Sequence, residues 1–380
     1  MSPIFKILLL YLTWRVGLLL LALFAIYFIP LGSTDRFLGG GPLNYKIAPE
    51  LFSWANFDGE HYLSIAIFGY KGLEQTFFPI YPMLISFFAK PFSPDLISAL
   101  INSTIAGLFI SNLSFCFALI VLWKLLIIDF SKKIALFTII LLVIFPTSFY
   151  FGAVYNESLF LLLALLAFYN ARTKSWFLAS LFGILASATR IFGILLLPAF
   201  LIEAYLQKEK SINFFWILLI PLGLGGYMLY QYVTIGDPLA FYNLQHLVGE
   251  QRQSGLVLLP QVYFRYIKML FSVSPTNFIY QTILLEFIVG IVFFILPIYG
   301  FFKKIRISYL FYALIGFLIT TLQGGMSSVP RYVLVFFPSF IALALWVLSL
   351  HKIVRVTIVL ILILLLFIET SLFLRGYWIA

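Results

Sequence analysis

Residues 96–128 read LISALINSTIAGLFISNLSFCFALIVLWKLLII, with Lys124 as the one charge. About 20 apolar residues cross the hydrocarbon of a bilayer as a helix. A membrane β-barrel would instead show short segments of alternating polarity, and this run does not alternate. Similar runs recur along the chain. The candidate spans are 4–29, 96–128, 134–150, 153–171, 176–189, 192–206, 213–233, 278–302, 308–322, 331–349 and 353–374. The expected fold class is therefore an all-α polytopic membrane protein, a bundle of about eleven transmembrane helices.

Composition agrees. Of 380 residues 63% are hydrophobic and 10% charged, with a mean hydropathy of +1.08. Residues 1–30 carry an apolar part too long for an ordinary signal-peptide core, with no clear cleavage site after it, and are read as a retained first helix. The single cysteine, Cys116, excludes an intramolecular disulfide framework and a multi-cysteine metal site.

The net charge of +10 invites a nucleic-acid reading. The positions of the cations answer it. With the N-terminus inside, the short inner connections hold Lys132 and Lys133, Arg172 and Lys174, Lys208 and Lys210, Lys303, Lys304 and Arg306, and Lys352 and Arg355. That is the distribution that orients membrane proteins, so no nucleic-acid partner is expected. Two long segments, about 30–95 and 234–277, then lie outside. There is no linker or short repeat, and 1–380 is expected to form one domain. Nine of the 14 acids fall outside or at the outer edge: Asp35, Glu50, Asp58, Glu60, Glu74, Asp95, Glu157, Asp237 and Glu250. This asymmetry places the chemistry on the outer face.

The densest polar cluster is in WANFDGEHYLSIAIFGY (54–70), where Asp58, Glu60 and His61 stand between Phe57 and Tyr62. Asp58 reads as a helix N-cap, with Trp54 and Tyr62 as interfacial anchors. A carboxylate fixed at a helix start is also well held for general-base work.

FDGEHYLSIAIFGY and the following QTFFPIYPMLI (75–85) resemble the signature of the GPI mannosyltransferase 2 (PIG-V) family and its prokaryotic relatives. The resemblance continues in FPTSFYFGAVYNESLFLLLAL (145–165), SATRIFGILLLP (187–198), GDPLAFY (236–242), SSVPRYVLVFFP (327–338) and GYWIA (376–380). It implies a GT-C-type bundle whose large first extracytoplasmic loop carries interfacial helices. It also implies a membrane glycosyltransferase that uses a polyprenyl- or dolichyl-phosphate sugar, typically mannose, and inverts at the sugar. The partners implied are that donor, a lipid or glycan acceptor, and membrane lipids. The membrane implied is the plasma membrane for a prokaryotic member, which the compact loops fit, or the endoplasmic reticulum for a eukaryotic one, with the active site extracytoplasmic. The acid that matches the family's base is Asp58.

Such a reaction needs a base at the acceptor hydroxyl and positive charge at the leaving phosphate. Glu60 is the second choice of base, or a neighbour that raises Asp58 by like-charge repulsion; a solvated first-turn acid is the plain alternative. His61 contacts phosphate or acceptor, or is an interfacial histidine. Arg331, after Pro330 and before Tyr332, offers a bidentate grip on phosphate; the alternative is a helix anchor at the headgroups. Arg190 at an outer turn is costly to bury and so paired or functional. Asn156 and Glu157 open the fourth span, and Glu157 caps the helix, pairs with Arg190 or binds sugar hydroxyls. Arg15, mid-span, needs a partner, with Glu369 and Glu286 the candidates. TFFPIYP (76–82) reads as a rigid turn with exposed aromatics, which stack on sugar, border the lipid channel or belong to the interfacial belt; Tyr81 there and Tyr62 in the preceding stretch are the candidate sugar contacts.

Asp58 and Glu60 lack an evident third metal ligand. No metal site is assigned, although a divalent ion is compatible with the resemblance. No glycine-rich phosphate loop is present, and QGGMSS (323–328) is too short a signal. Two other function classes remain in view: a transporter or flippase of lipid-linked sugars, which would show internal repeats, and a non-catalytic scaffold subunit.

Overall fold

The computed structural model describes residues 2–32, 45–209, 211–248, 257–322 and 324–379. Asp35, Glu250, Lys210 and Gln323 lie outside them. Among the described residues the chain is helical and contains no strand. The principal helices are α1 (Pro3–Phe28), α2 (Asp58–Phe68), α3 (Ile80–Ala89), α4 (Leu96–Asp129), α5 (Lys132–Val143), α6 (Glu157–Arg172), α7 (Trp176–Ser187) and α8 (Leu196–Leu206). They continue with α9 (Leu222–Ile235), α10 (Leu259–Ser272), α11 (Phe278–Phe302), α12 (Ile307–Thr321), α13 (Val329–Tyr332), α14 (Phe337–Ser349) and α15 (Lys352–Leu374).

Short polar connectors start these helices cleanly. Ser2, Asp95, Ser131 and Asn277 each accept a hydrogen bond from a first-turn N–H of α1, α4, α5 and α11, which satisfies donors that a helix start otherwise leaves open. Pro3 sits in the first turn of α1, where its missing N–H does no harm.

The expected spans fold largely as helices, several of them short or broken. Among the described residues, five helical segments are by themselves long and apolar enough to cross a bilayer: Pro3–Phe28, Leu96–Asp129, Phe214–Ile235, Ile279–Phe302 and Lys352–Leu374. Val329–Val335 and Phe337–Ser349 make a sixth only as a pair, bent by 94°. The reason is proline. Pro338 has no N–H and crowds the preceding turn, so the helix expected over 331–349 breaks at Phe336. The span expected over 134–150 stops at Val143 for a related reason: the residue before Pro146 is disfavoured in helix. Residues 144–156 turn through the protein interior instead and deliver α6 to the core.

One large cluster of buried hydrophobic side chains runs from Ile7 to Ile379. Aromatic rings fill it. Phe168 on α6 meets Phe200, Tyr309, Tyr312 and Phe337 at centroid distances of 5.1 to 5.3 Å, the edge-to-face geometry that rings prefer. Close helix approach needs glycine at one point: a Cβ on Gly223 of α9 would fall 2.0 Å from the carbonyl oxygen of Ile184 on α7. Gly223→Ala is expected to force these helices apart and lower stability by about 1–3 kcal/mol, the usual range for overpacking. Thermal unfolding in detergent measures this; an unchanged midpoint would show slack at the crossing.

Helix α6 links two ends of the bundle. Its 16 residues span about 24 Å. At its C-terminal end Arg172 pairs with Asp129 at 2.5 Å and Glu203 at 3.2 Å, Arg306 pairs with Glu203 at 2.7 Å, and Lys174 with Glu209 at 3.0 Å. Four of the five basic connections expected to share one face are thus held together at one end. Three of them turn at a lysine in the left-handed region, Lys174, Lys208 and Lys304, with φ of 65°, 53° and 58°. A cation there also complements the negative end of the helix it follows.

Candidate active site

The other end of α6 opens with Asn156 and Glu157, and here four charged side chains from distant parts of the chain meet. Asp58 comes first. It is the first residue of α2, and the N-cap is Phe57, which makes no side-chain capping hydrogen bond. The N-cap role expected for Asp58 is therefore incorrect. Its carboxylate instead reaches across to Arg331, Oδ2 to Nη1 at 2.5 Å.

The backbone aims it there. Phe57 has φ 58° and ψ −120°, a conformation suited to glycine that costs other residues about 1–3 kcal/mol. Its surroundings hold it. The Asn56 side chain donates to the Phe373 carbonyl at 2.7 Å, and the Tyr155 hydroxyl donates to the Asn56 carbonyl at 2.7 Å. The Phe57 ring stands perpendicular to Trp378 at 5.3 Å. Trp378, near the C-terminal end, thus packs against the turn that carries Asp58.

Arg331 lies in α13, which starts after Ser328, also left-handed at φ 62°. The Thr147 hydroxyl donates to the Pro330 carbonyl at 2.6 Å and ties this turn to residues 144–156. Besides Asp58, the guanidinium faces Glu157, Nε to Oε1 at 3.6 Å, and donates to the Tyr332 hydroxyl at 3.1 Å. The rings of Tyr150, Tyr155 and Tyr332 surround it at 5.6, 5.5 and 4.9 Å, within the range for attraction between a cation and a ring face.

Arg190 closes the row. It donates to Glu157 Oε1 at 2.6 Å and to Asn156 Oδ1 at 2.7 Å, and lies 5.5 Å from the Tyr332 ring. The pairing of Glu157 with Arg190 expected from the sequence is present. The result is an alternating row: Asp58, Arg331, Glu157, Arg190. Side-chain exposures are 27%, 7%, 1% and 10%, so Asp58 is the member that solvent reaches. Glu157 Oε2 is buried without a hydrogen-bond partner among the described residues.

Tyr62 sits beside this row, buried, with Tyr81 at 5.1 Å and Phe77 at 5.3 Å. Burial first, and the nearby Glu157 carboxylate second, push its phenol well above the ordinary value. It can donate a hydrogen bond but is no base. Glu60 and His61 are half-buried in the first turn of α2, and the His61 ring stacks on Phe77 at 4.9 Å. The expectation for TFFPIYP is wrong: Phe77, Phe78 and Tyr81 are buried, and Tyr81 contacts Gly107 and Ser111 of α4 through its hydroxyl at 3.0 and 2.8 Å. Tyr81 fastens α3 to α4 and faces no open site. The partners expected for Arg15 are also wrong. Its guanidinium lies 4.6 Å over the Trp54 ring, while Glu369 accepts from Gln281 and Glu286 from Tyr266 and Ser328. Tyr150, Tyr155 and Thr147 also belong to the site; all three fall within the stretch 145–165, but nothing in the sequence sets them apart from its other residues.

A divalent cation does not fit this donor set. Asp58 faces a guanidinium, and no group of three or more His, Cys, Asp or Glu side chains is placed to hold a metal among the described residues.

Three solved structures of an oligosaccharyltransferase from Archaeoglobus fulgidus are similar over nearly all of this chain. The apo form covers 97% of this chain at 15% identity with a TM-score of 0.48. The form tethered to an acceptor peptide covers 97% at 16% identity and 0.44, and the complex with zinc and sulfate covers 95% at 15% and 0.43. This chain spans 53–56% of the length of those chains. No curated protein matches it. The family model described as mannosyltransferase (PIG-V) matches residues 16–222, more than half of the 380 residues and the part that supplies Asp58, Asn156, Glu157 and Arg190. The chain belongs to the mannosyltransferase (PIG-V) family of membrane glycosyltransferases.

Proposed function

We propose that this protein transfers mannose from a polyprenyl- or dolichyl-phosphate sugar to a lipid-linked or glycan acceptor, with inversion, on the extracytoplasmic face. The whole chain acts as one domain, in the plasma membrane of a prokaryote or the endoplasmic reticulum of a eukaryote. The observation that carries this reading is the charged row at the end of α6 opposite the basic connections.

The chemistry follows from the row. Asp58, the exposed carboxylate, takes the proton of the acceptor hydroxyl. The acceptor oxygen bonds to the sugar's anomeric carbon as the bond from that carbon to the phosphate oxygen breaks. The electron pair leaves with the lipid phosphate. Arg331 exchanges its contact with Asp58 for the phosphate, which places positive charge where negative charge develops and frees the carboxylate to act as a base. Arg190 holds Glu157 in place behind it. Glu157 Oε2 and Asn156 receive sugar hydroxyls, and Tyr62 and Tyr332 border them. Glu60 and His61 line the entrance on α2.

The decisive assay supplies purified protein with radiolabelled polyprenyl-phosphate mannose and a panel of lipid acceptors. Mannosylated lipid of inverted linkage is expected. Transfer from a nucleotide sugar alone would overturn the choice of donor. Passage of the labelled lipid across vesicles without new product would mark a transporter.

Sidedness has its own test. The basic connections at one end should face the cytoplasm. In a Cys116→Ser background, Lys71→Cys is expected to react with an impermeant maleimide from outside and Lys174→Cys only after the membrane is opened. The reverse pattern would place the charged row in the cytoplasm.

A further inference from the structure

Glu286 belongs to none of the groups above. It is buried within α11, in a segment apolar enough to cross the membrane. Ionisable groups at such depth are rare and carry a function more often than not. Its hydrogen bonds among the described residues run to one place. Oε1 accepts from the backbone N–H of Ser328 at 3.1 Å, and Oε2 accepts from the Tyr266 hydroxyl at 2.6 Å. That same hydroxyl accepts from the backbone N–H of Met326 at 3.1 Å. One carboxyl group, extended by one phenol, therefore grips both ends of Met326–Ser328. A third tie comes from Arg265, which donates to the Gly324 carbonyl at 3.0 Å.

What is gripped is the turn that aims Arg331. Ser328 is left-handed at φ 62°, a conformation that a side chain with a Cβ rarely adopts and that persists only where its surroundings impose it. The N–H groups of Arg331 and Tyr332 both donate to the Ser328 carbonyl, at 3.0 and 2.9 Å. The direction of the chain at Ser328 thus sets the direction of α13 and of the guanidinium it presents to Asp58.

We propose that Glu286, with Tyr266, is a positioning residue for Arg331: it holds Ser328 in its left-handed conformation and so orients the guanidinium toward the donor's phosphate. This rests on the donor-phosphate reading of Arg331 given above. Catalytic groups displaced by about 1 Å lose on the order of 100-fold in rate. Glu286→Leu is expected to lower kcat/KM for the lipid-phosphate donor by that order and to leave KM for the acceptor unchanged. Glu286→Gln keeps an acceptor for Ser328 N–H and stays within a few-fold of the parent. Tyr266→Phe, a milder change with less risk to folding, falls between the two. Adding Ser328→Gly to Glu286→Leu removes the strain that the carboxyl restrained and recovers about tenfold.

A second readout needs no substrate: modification of Arg331 by phenylglyoxal, followed by mass spectrometry of its peptide. Arg331 is expected to react slowly in the parent and faster in Glu286→Leu and Tyr266→Phe. If the parent transfers nothing from the lipid donor, the functional reading fails, while the phenylglyoxal rates still test the positioning role. Arg331 reacting in Glu286→Leu and Tyr266→Phe as slowly as in the parent overturns the proposal. So does a loss in Glu286→Leu that falls equally on donor and acceptor and is not relieved by Ser328→Gly; Glu286 would then only pack the helix.

Discussion

Asp58→Asn is expected to reduce transfer by about 10²–10⁴-fold, the usual loss when a general base is removed. The substitution preserves size and an acceptor oxygen but has no useful basicity. It also leaves Arg331, 7% exposed, with a neutral partner, so stability should fall by about 1.5–3 kcal/mol, as for a hydrogen bond to a charged group. That second effect comes from the ion pair and not from a lost helix cap, since Phe57 occupies the cap position. Initial rates and thermal unfolding in detergent separate the two. Glu60→Gln should stay within several-fold of the parent. Normal transfer by Asp58→Asn together with an inactive Glu60→Gln would show that the wrong carboxylate was chosen. If both variants transfer normally, Glu157, with its unused Oε2, is the remaining acid.

Arg331→Ala is the second large effect. It strips a cation from two carboxylates at once, Asp58 at 2.5 Å and Glu157 at 3.6 Å. Breaking a buried pair from one side costs about 3–5 kcal/mol, because the remaining charge stays buried and unanswered. Here Arg190 still answers Glu157 and solvent reaches Asp58, so the lower end of that range is expected. On activity, the loss of a group that neutralises the leaving phosphate should cost about 10²–10³-fold in kcat. Arg331→Lys should fall between parent and Ala: it keeps the charge but loses the planar fork that holds Asp58, Glu157 and Tyr332 together. Steady-state kinetics with varied donor decides the matter. Normal donor use by both variants would reduce Arg331 to a structural anchor.

The site shows where reading the chain succeeds and where it stops. Asp58, Glu157, Arg190 and Arg331 stood out because charge is scarce in so apolar a chain, and scarcity is a property of composition. Their arrangement was not legible. Arg331 and Asp58 are 273 residues apart, and no local pattern says that one answers the other. Two prolines around Tyr81 describe a rigid turn but not which face of it is buried. Arg15, a buried cation, needs a partner, and an acid is the natural expectation; the partner is the ring of Trp54, and aromatic residues are too common here for the sequence to single one out.

The sequence alone determined the all-helical membrane bundle and the grouping of the basic connections. Both rest on the repetition of apolar residues over lengths that match a bilayer and on the placement of cations between them, and each of these is read locally. Only the tertiary structure decided that Pro146 and Pro338 end their helices inside the protein, that Phe57 and Ser328 adopt strained turns, and that those turns bring Asp58 and Arg331 into contact. A strained backbone conformation survives where distant packing imposes it; Asn56 bonded to Phe373 and Glu286 bonded to Ser328 are such restraints, and they exist only once the chain has folded.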